Sequence, residues 1–299
     1  MAMSRQPLLT ARLLRTWRHA LTGTEWRDAG TAALRAAAES QLRLGLQRKP
    51  RQTLLRVSSP AADTNGHGHY SEVELITDDM PFLVDTLNKT LAAAGHGVQL
   101  IVHPILPAVR GAHGRLLHFG ERHAKYSPVN ESWQYLRIDR VAGDLACAAL
   151  RAQLLAALTD VRHACEDWQS MRRTASQLRE QLSQRPPPLP AANVAESGAL
   201  LQYMEDNHFT FLGFRRNRLT RRAGGSRLEA IAGTELGIFR RRSTTKIRVE
   251  RSAPPPASGT LSRELLIVSK ANRRSSVHRP GYLDCITLKQ FDARGRVVG

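Results

Sequence analysis

Aromatic residues make up only 5% of this 299-residue chain, so its cores must be built from leucine, valine, isoleucine and alanine. Cysteine is scarcer still. Cys147, Cys165 and Cys285 show no C-x-x-C spacing, which excludes a disulfide framework and fits a reducing compartment. No apolar run approaches the ~18 residues that a membrane-spanning helix needs, so no membrane partner is expected. Lysine is rare too: six of the 44 basic residues are lysine and the rest arginine. Arginine and alanine enriched together point to a GC-rich genome, which weakens any inference from the net charge of +18 to nucleic acid.

The chain also lacks the strings that carry most enzyme chemistry. A dinucleotide site needs G-x-G-x-x-G between a strand and a helix, whereas Gly66-His67-Gly68-His69-Tyr70-Ser71 precedes a strand and reads as a solvated loop. There is no P-loop and no G-x-S-x-G elbow. His67 and His69 alternate on a loop, and His113, His118 and His123 surround a hairpin; neither set has zinc-ligand spacing. Catalytic residues, a metal site and a cofactor site are therefore not expected in this chain.

What is present is the punctuation of an α+β protein. Residues 1–52 read as an arginine-rich helical segment with Leu8, Leu9, Leu13, Leu14 and Trp17 as its apolar stripe. Arg5, Arg12, Arg15 and Arg18 precede the first acidic residue, Glu25, a pattern shared by mitochondrial targeting segments and cytosolic surface helices; a cytoplasmic location is the expectation. Residues 53–184 read as a first module, a leading strand followed by β-α-β-β-β-α. Its strands are expected at Thr53–Val57, Tyr70–Thr77, Val98–Val109, Arg115–Phe119 and Trp133–Ile138, and its helices at Met80–Ala94 and from Asp144 to about Leu182. Pro104 and Pro107 imply an edge or a bulge in the Val98–Val109 strand. Residues 185–195, beginning Arg185-Pro186-Pro187-Pro188-Leu189-Pro190, are a stiff polyproline linker. Residues 196–299 read as a second module, with a helix at Ala195–Asn207 and strands at Phe209–Phe214, Arg227–Ala230, Lys246–Val249, Glu264–Lys270 and Cys285–Phe291. Ser252–Gly259 is a loop, and a turn at Asp292–Gly295 leads into a return strand that stops at Gly299, which suggests a truncated module.

The stretch Thr77-Asp78-Asp79-Met80-Pro81-Phe82-Leu83-Val84-Asp85 joins a strand to a helix. Asp78 and Asp79 can cap that helix, and Pro81 suits its first turn. A helix N-terminus also favours a small anionic group, so Asp78, Asp79, Met80, Pro81 and Phe82 form a candidate effector-binding turn. Two basic runs, Arg215–Arg222 and Arg240–Arg248, could neutralise phosphates, so a free-standing basic module binding nucleic acid is the alternative. The aromatic strands that stack bases are missing, and nucleic acid is the weaker choice.

Five ordered blocks carry a resemblance. They are the Thr77–Asp85 stretch with Ile101-Val102-His103-Pro104-Ile105-Leu106; Glu131-Ser132-Trp133 with Ile138-Asp139-Arg140; Asp206–Phe214; Gly233-Thr234-Glu235-Leu236-Gly237; and Ser269–Tyr282. Together they resemble the N-terminal region of the large NAD-specific glutamate dehydrogenases. The resemblance implies two ferredoxin-like, ACT-like modules with antiparallel-rich sheets, and a regulatory or architectural role. It places the NAD-dependent oxidation of L-glutamate to 2-oxoglutarate and ammonium in a catalytic domain outside this chain. Its implied partners are that catalytic region, other subunits of a homo-oligomer and an amino-acid effector. Lys270, Asn272, Arg273, His278 and Arg279, in the last block, are candidate interface residues.

Overall fold

The apolar stripe at the start of the chain forms α1 (Gln6–Ala20), which buries Leu9, Leu13 and Trp17. A capping box between Thr22 and Glu25 starts α2 (Gly23–Ala29). Gly30, at φ 78°, then turns the chain into α3 (Thr31–Gly45). This computed structural model describes residues 6–60, 69–121, 125–222, 225–240 and 264–299. Contacts divide the chain into two compact units, Met1–Leu158 and Thr159–Gly299.

The first unit holds one six-stranded antiparallel sheet. Its strands are β1 (Leu54–Ser58), β2 (Tyr70–Asp78), β3 (Val98–Val102), β4 (Ile105–Arg110), β5 (Leu116–Phe119) and β6 (Pro128–Asp139). The order is β1-β2-β6-β4-β5, with β3 beside β4 along the same edge of β6. The helix α4 (Leu83–Ala93) connects β2 to β3, and β6 lies between those two strands, the split β-α-β arrangement. The single apolar strand expected at Val98–Val109 is two strands broken at His103-Pro104. Pro107 sits at the end of the β4–β5 ladder, where its carbonyl accepts from Gly120 N at 2.7 Å and its missing N–H costs no inner rung.

Alternation sorts β2 and β6 into two faces. Ile76, Trp133 and Tyr135 join Leu13, Trp17, Leu34 and Leu42 of α1 and α3 in one core. Trp17 stacks on Tyr135 at 5.0 Å, and Gly45 lets α3 end against Trp133. On the other face Val73, Leu75, Leu136 and Ile138 are fully buried, as are Leu87 and Leu91 of α4 and Leu154 of α5 (Gly143–Gln184). Near-continuous burial along β2 requires cover on both sides, and α1–α3 supply one, α4 and the start of α5 the other.

In the second unit the helix α5 ends just before the run of prolines, as their missing N–H groups dictate. Then come α6 (Ala191–Tyr203) and a π-turn at Met204–His208, with Asn207 at φ 65°. The expected helix to Asn207 therefore closes early, and the expected strand at Phe209–Phe214 shrinks to β7 (Gly213–Phe214). The remaining strands are β8 (Asn217–Arg222), β9 (Gly225–Ala230), β10 (Leu236–Gly237), β11 (Leu266–Arg274) and β12 (Tyr282–Leu288). They pair as three two-stranded ladders: β7 with β10, β8 with β9, and β11 with β12. Leu182, Leu201, Met204 and Leu265 form the core. The turn at Asp292–Gly295 is present, with Gly295 N bonded to Asp292 O at 3.0 Å. The strand expected at Lys246–Val249, the Ser252–Gly259 loop, and His67 and His123 lie outside the described residues. Among the described residues no helix is long and apolar enough to cross a membrane.

Candidate functional site

The acidic turn follows directly from the register of β2 against β6. Pairing runs to its last rung, Asp78 opposite Glu131, which sets two carboxylates side by side. A buried arginine resolves the conflict. Arg48, 2% exposed, donates to Asp78 Oδ1 at 2.5 Å, to Glu131 Oε1 at 2.8 Å and to the Gln52 carbonyl at 2.6 Å. Arg110 holds Glu131 with two further bonds, Nε to Oε1 at 2.6 Å and Nη2 to Oε2 at 2.8 Å, and Trp133 Nε1 donates to Oε2 at 3.0 Å. Glu131 is thus fully buried with both oxygens satisfied.

Asp78 is therefore a strand residue and not a helix cap. Asp79 is exposed, and its backbone N–H is used by Asn130 O at 3.0 Å. Pro81 is exposed, Met80 and Phe82 are half-buried, and Phe82 is the cap residue of α4 in the left-handed region at φ 70°. That conformation is costly for a bulky residue. The N-cap is Phe82, which makes no side-chain cap bond, so the expected aspartate N-cap and helix start at Met80 give way to a later start at Leu83. The physical reason is that strand pairing and Arg48 claim Asp78, while the Asp79–Asn130 bond prolongs the extended chain.

On the α4 side of the sheet a second polar chain lies beside the turn. Ser132, across from Thr77 on one side and Ile105 on the other, bonds His103 Nε2 at 2.9 Å and accepts from Gln134 Nε2 at 2.9 Å. Burial pushes the His103 imidazole below its ordinary value, with Asp79 pulling weakly the other way. On the α1–α3 side, Glu74 pairs with Arg56, and Tyr135 donates to Glu72 at 2.7 Å. Burial raises the Glu72 carboxyl and the Tyr135 phenol together.

The candidate interface residues lie in the β11–β12 ladder of the second unit. Lys270 pairs across it with Asp284 at 2.5 Å, both well exposed. Asn272 and Arg273 occupy the irregular register between Lys270 and Arg274. Arg279 is exposed, and His278 is half-buried at φ 61° in a loop closed by Ser275 N on Gly281 O at 2.7 Å. The structure thus keeps this set on one ladder and its loop. Two other blocks meet as well: Gly213 pairs with Gly237, where a Cβ on Gly237 would stand 2.2 Å from the Leu212 carbonyl oxygen.

Sequence reasoning gave no role to Arg48 or Arg110, and none to Glu131, His103 or Ser132 beyond their place in the similar blocks. A signal existed. An acid at the centre of an apolar, alternating strand is buried and needs a cation. Among the described residues no three histidines, cysteines or acids are placed to hold a metal ion. The described residues also do not fit a bound dinucleotide. Every described strand pair is antiparallel, and α4 starts at Phe82–Leu83 without a glycine turn.

Residues 13–154 match the family model described as the glutamate dehydrogenase ACT1 domain. The NAD-specific glutamate dehydrogenase of Pseudomonas aeruginosa is 30% identical over 83% of this chain and 15% of its own length. That of Halomonas elongata is 29% identical over 84% of this chain and 16% of its own. The chain belongs with the N-terminal ACT1 region of the large NAD-specific glutamate dehydrogenases. Within that ACT1 match lie the helices α1 (from Leu13) to α3, the whole six-stranded sheet and the acidic turn. The match gives no support to a nucleic-acid-binding module. The chain spans about one sixth of the length of these relatives.

Proposed function

We propose that this chain is the N-terminal regulatory and architectural part of an NAD-specific glutamate dehydrogenase. In this reading the whole enzyme oxidises L-glutamate to 2-oxoglutarate and ammonium, and reduces NAD in a catalytic region outside these residues. The carrying observation is the ACT1 match over residues 13–154 in a chain whose described residues do not fit a dinucleotide. Its partners would be that catalytic region and further subunits of a homo-oligomer in the cytoplasm, reached in part through Lys270, Asn272, Arg273, His278 and Arg279. We also propose the division into a helical segment at 1–52, modules at 53–184 and 196–299, and a linker between them.

The regulatory ligand in this reading is an amino acid at the turn Asp78–Phe82. The geometry favours Asp79 over Asp78 as the group facing it, because Asp78 is already held by Arg48. Asp79 would attract the ligand's ammonium, and the positive end of the α4 dipole its carboxylate. Calorimetry of the chain with a panel of amino acids tests this: millimolar or tighter binding that is lost in Asp79→Asn supports it, and silence across the panel overturns it.

A further inference from the structure

We infer that β12 takes one more strand along its free edge, and that this strand is the stretch of the longer protein directly following Gly299. The occupant rests on the reading just given, that these residues are one part of a larger enzyme. Its place is set by hydrogen bonds within the second unit. After the turn at Asp292–Gly295 the chain comes back antiparallel to the end of the β12 path. Phe291 is bridged to Val297, Val298 N donates to Gln290 O at 2.9 Å, and Gln290 N donates to Gly299 O at 2.9 Å. On its other side the same segment is held by β8, where Leu219 N donates to Val298 O at 2.8 Å. Residues 296–299 are therefore flanked by chain on both sides. The approach to β8 is close: a Cβ on Gly299 would stand 2.5 Å from the Asn217 carbonyl oxygen.

Successive residues of a strand turn their main-chain groups to opposite edges. Lys289 N bonds Leu265 O on the β11 side, and Gln290 bonds residues 298 and 299 on the other. Counting back by twos, Leu288, Ile286 and Asp284 turn their N–H and C=O groups to that same outer edge. Among the described residues no strand pairs with β12 there. A chain extended past Gly299 runs along this edge toward Tyr282. Gly299 stands opposite Gln290, so the second and fourth residues after it meet Leu288 and Ile286. Those two side chains pack against the core of Leu182, Leu201 and Leu265, and partners on neighbouring strands share a face. The second and fourth residues after Gly299 are accordingly apolar. The added strand joins the β8–β9 and β11–β12 ladders into one sheet and removes an open edge that would otherwise template wrong pairings.

The test is residue-level amide exchange on the 299-residue chain and on the longer protein from the same gene. In the 299-residue chain the amides of Leu288 and Ile286 should exchange roughly 100-fold faster than those of Thr287 and Lys289, which β11 holds. In the longer protein the two sets should come within about tenfold of each other. Prolines at the second and fourth residues after Gly299 should return Leu288 and Ile286 to fast exchange and leave Thr287 slow. Equal rates in the 299-residue chain, or fast exchange at Leu288 and Ile286 in the longer protein, overturns the inference and leaves the proposed function standing. Protection that survives the prolines does the same, since another segment or a second copy then covers the edge. A reading frame that stops after Gly299 overturns both. Should the proline variant fail to fold, a synthetic peptide of the next ~10 residues, added to the 299-residue chain, decides: no slowing at Leu288 and Ile286 overturns the inference.

Discussion

The two units are built from similar amounts of strand but hold together by different means. The first gathers six strands into one sheet covered on both faces, with a charged network sealed inside. Among the described residues the second carries six strands as three two-stranded ladders, on which Val268 is 62% exposed and Leu228 50% while Ile286 and Leu288 are half-buried against the core. Two-stranded ladders are marginal alone, so cohesion in the second unit must come from the core that Leu182 and Leu201 of the helices form with Leu265, Ile286 and Leu288. Burial turns a charge into a structural commitment. Glu131 in the first unit is held by four donor contacts, whereas Asp284 in the second meets an exposed lysine in water.

The strongest way to break this contrast is Arg48→Met. It keeps the volume and strands Asp78 beside a buried Glu131, and should cost about 3–5 kcal/mol. Urea unfolding followed by fluorescence checks it, because Trp17, Trp26 and Trp133 lie in the first unit and Trp168 alone in the second. A loss below about 1 kcal/mol would mean that the sealed network is not what sets the first unit apart.

Next in size is Leu201→Ala. Leu201 is 4% exposed in a core with few members, so about 2–4 kcal/mol should be lost, read as faster proteolysis of the second unit. The first unit's tryptophan signal should not move.

How much of this was legible beforehand differs along the same line. Alternation in Tyr70–Thr77 and Trp133–Ile138 announced β2 and β6, and the proline run announced the end of α5, since local rules govern both. The start of α4 was misread because its apparent caps answer to partners distant in sequence, Asp78 to Arg48 and Asp79 to Asn130. No local rule reaches that far. Of the β8–β9 hairpin the strand at Arg227–Ala230 was expected, but β8 was read as a basic run, since Arg218, Arg221 and Arg222 show no apolar alternation. For the turn the sequence offered two aspartates as equals; only the two faces of the sheet separate them.

Gly45→Ala sharpens the comparison inside the first unit. An added Cβ would lie 2.2 Å from Trp133 Cη2, so α3 must lift from the sheet or Trp133 must move. Overpacking of this kind should cost about 1–3 kcal/mol. A blue or red shift of the Trp133 emission in the folded variant checks that the strain falls there, and an unchanged spectrum with unchanged stability would show that α3 is not pressed onto the sheet.

The smallest effect should come from Lys270→Ala, and its smallness is the point. Lys270 and Asp284 face each other across β11–β12 as squarely as Asp78 and Arg48 meet in the first unit, at the same 2.5 Å. Their side chains, however, are 69% and 47% exposed. Water already solvates both groups, the long lysine loses side-chain freedom by pairing, and salt screens what attraction remains. The substitution should therefore change stability by no more than about 0.5 kcal/mol, and raising the salt to about 1 M should erase even that. In Arg48→Met the same salt should change the loss little, because a buried pair is screened far less. A Lys270 effect as large as that of Arg48, or one indifferent to salt, would mean that Lys270 is covered in solution, as the interface reading of this ladder requires.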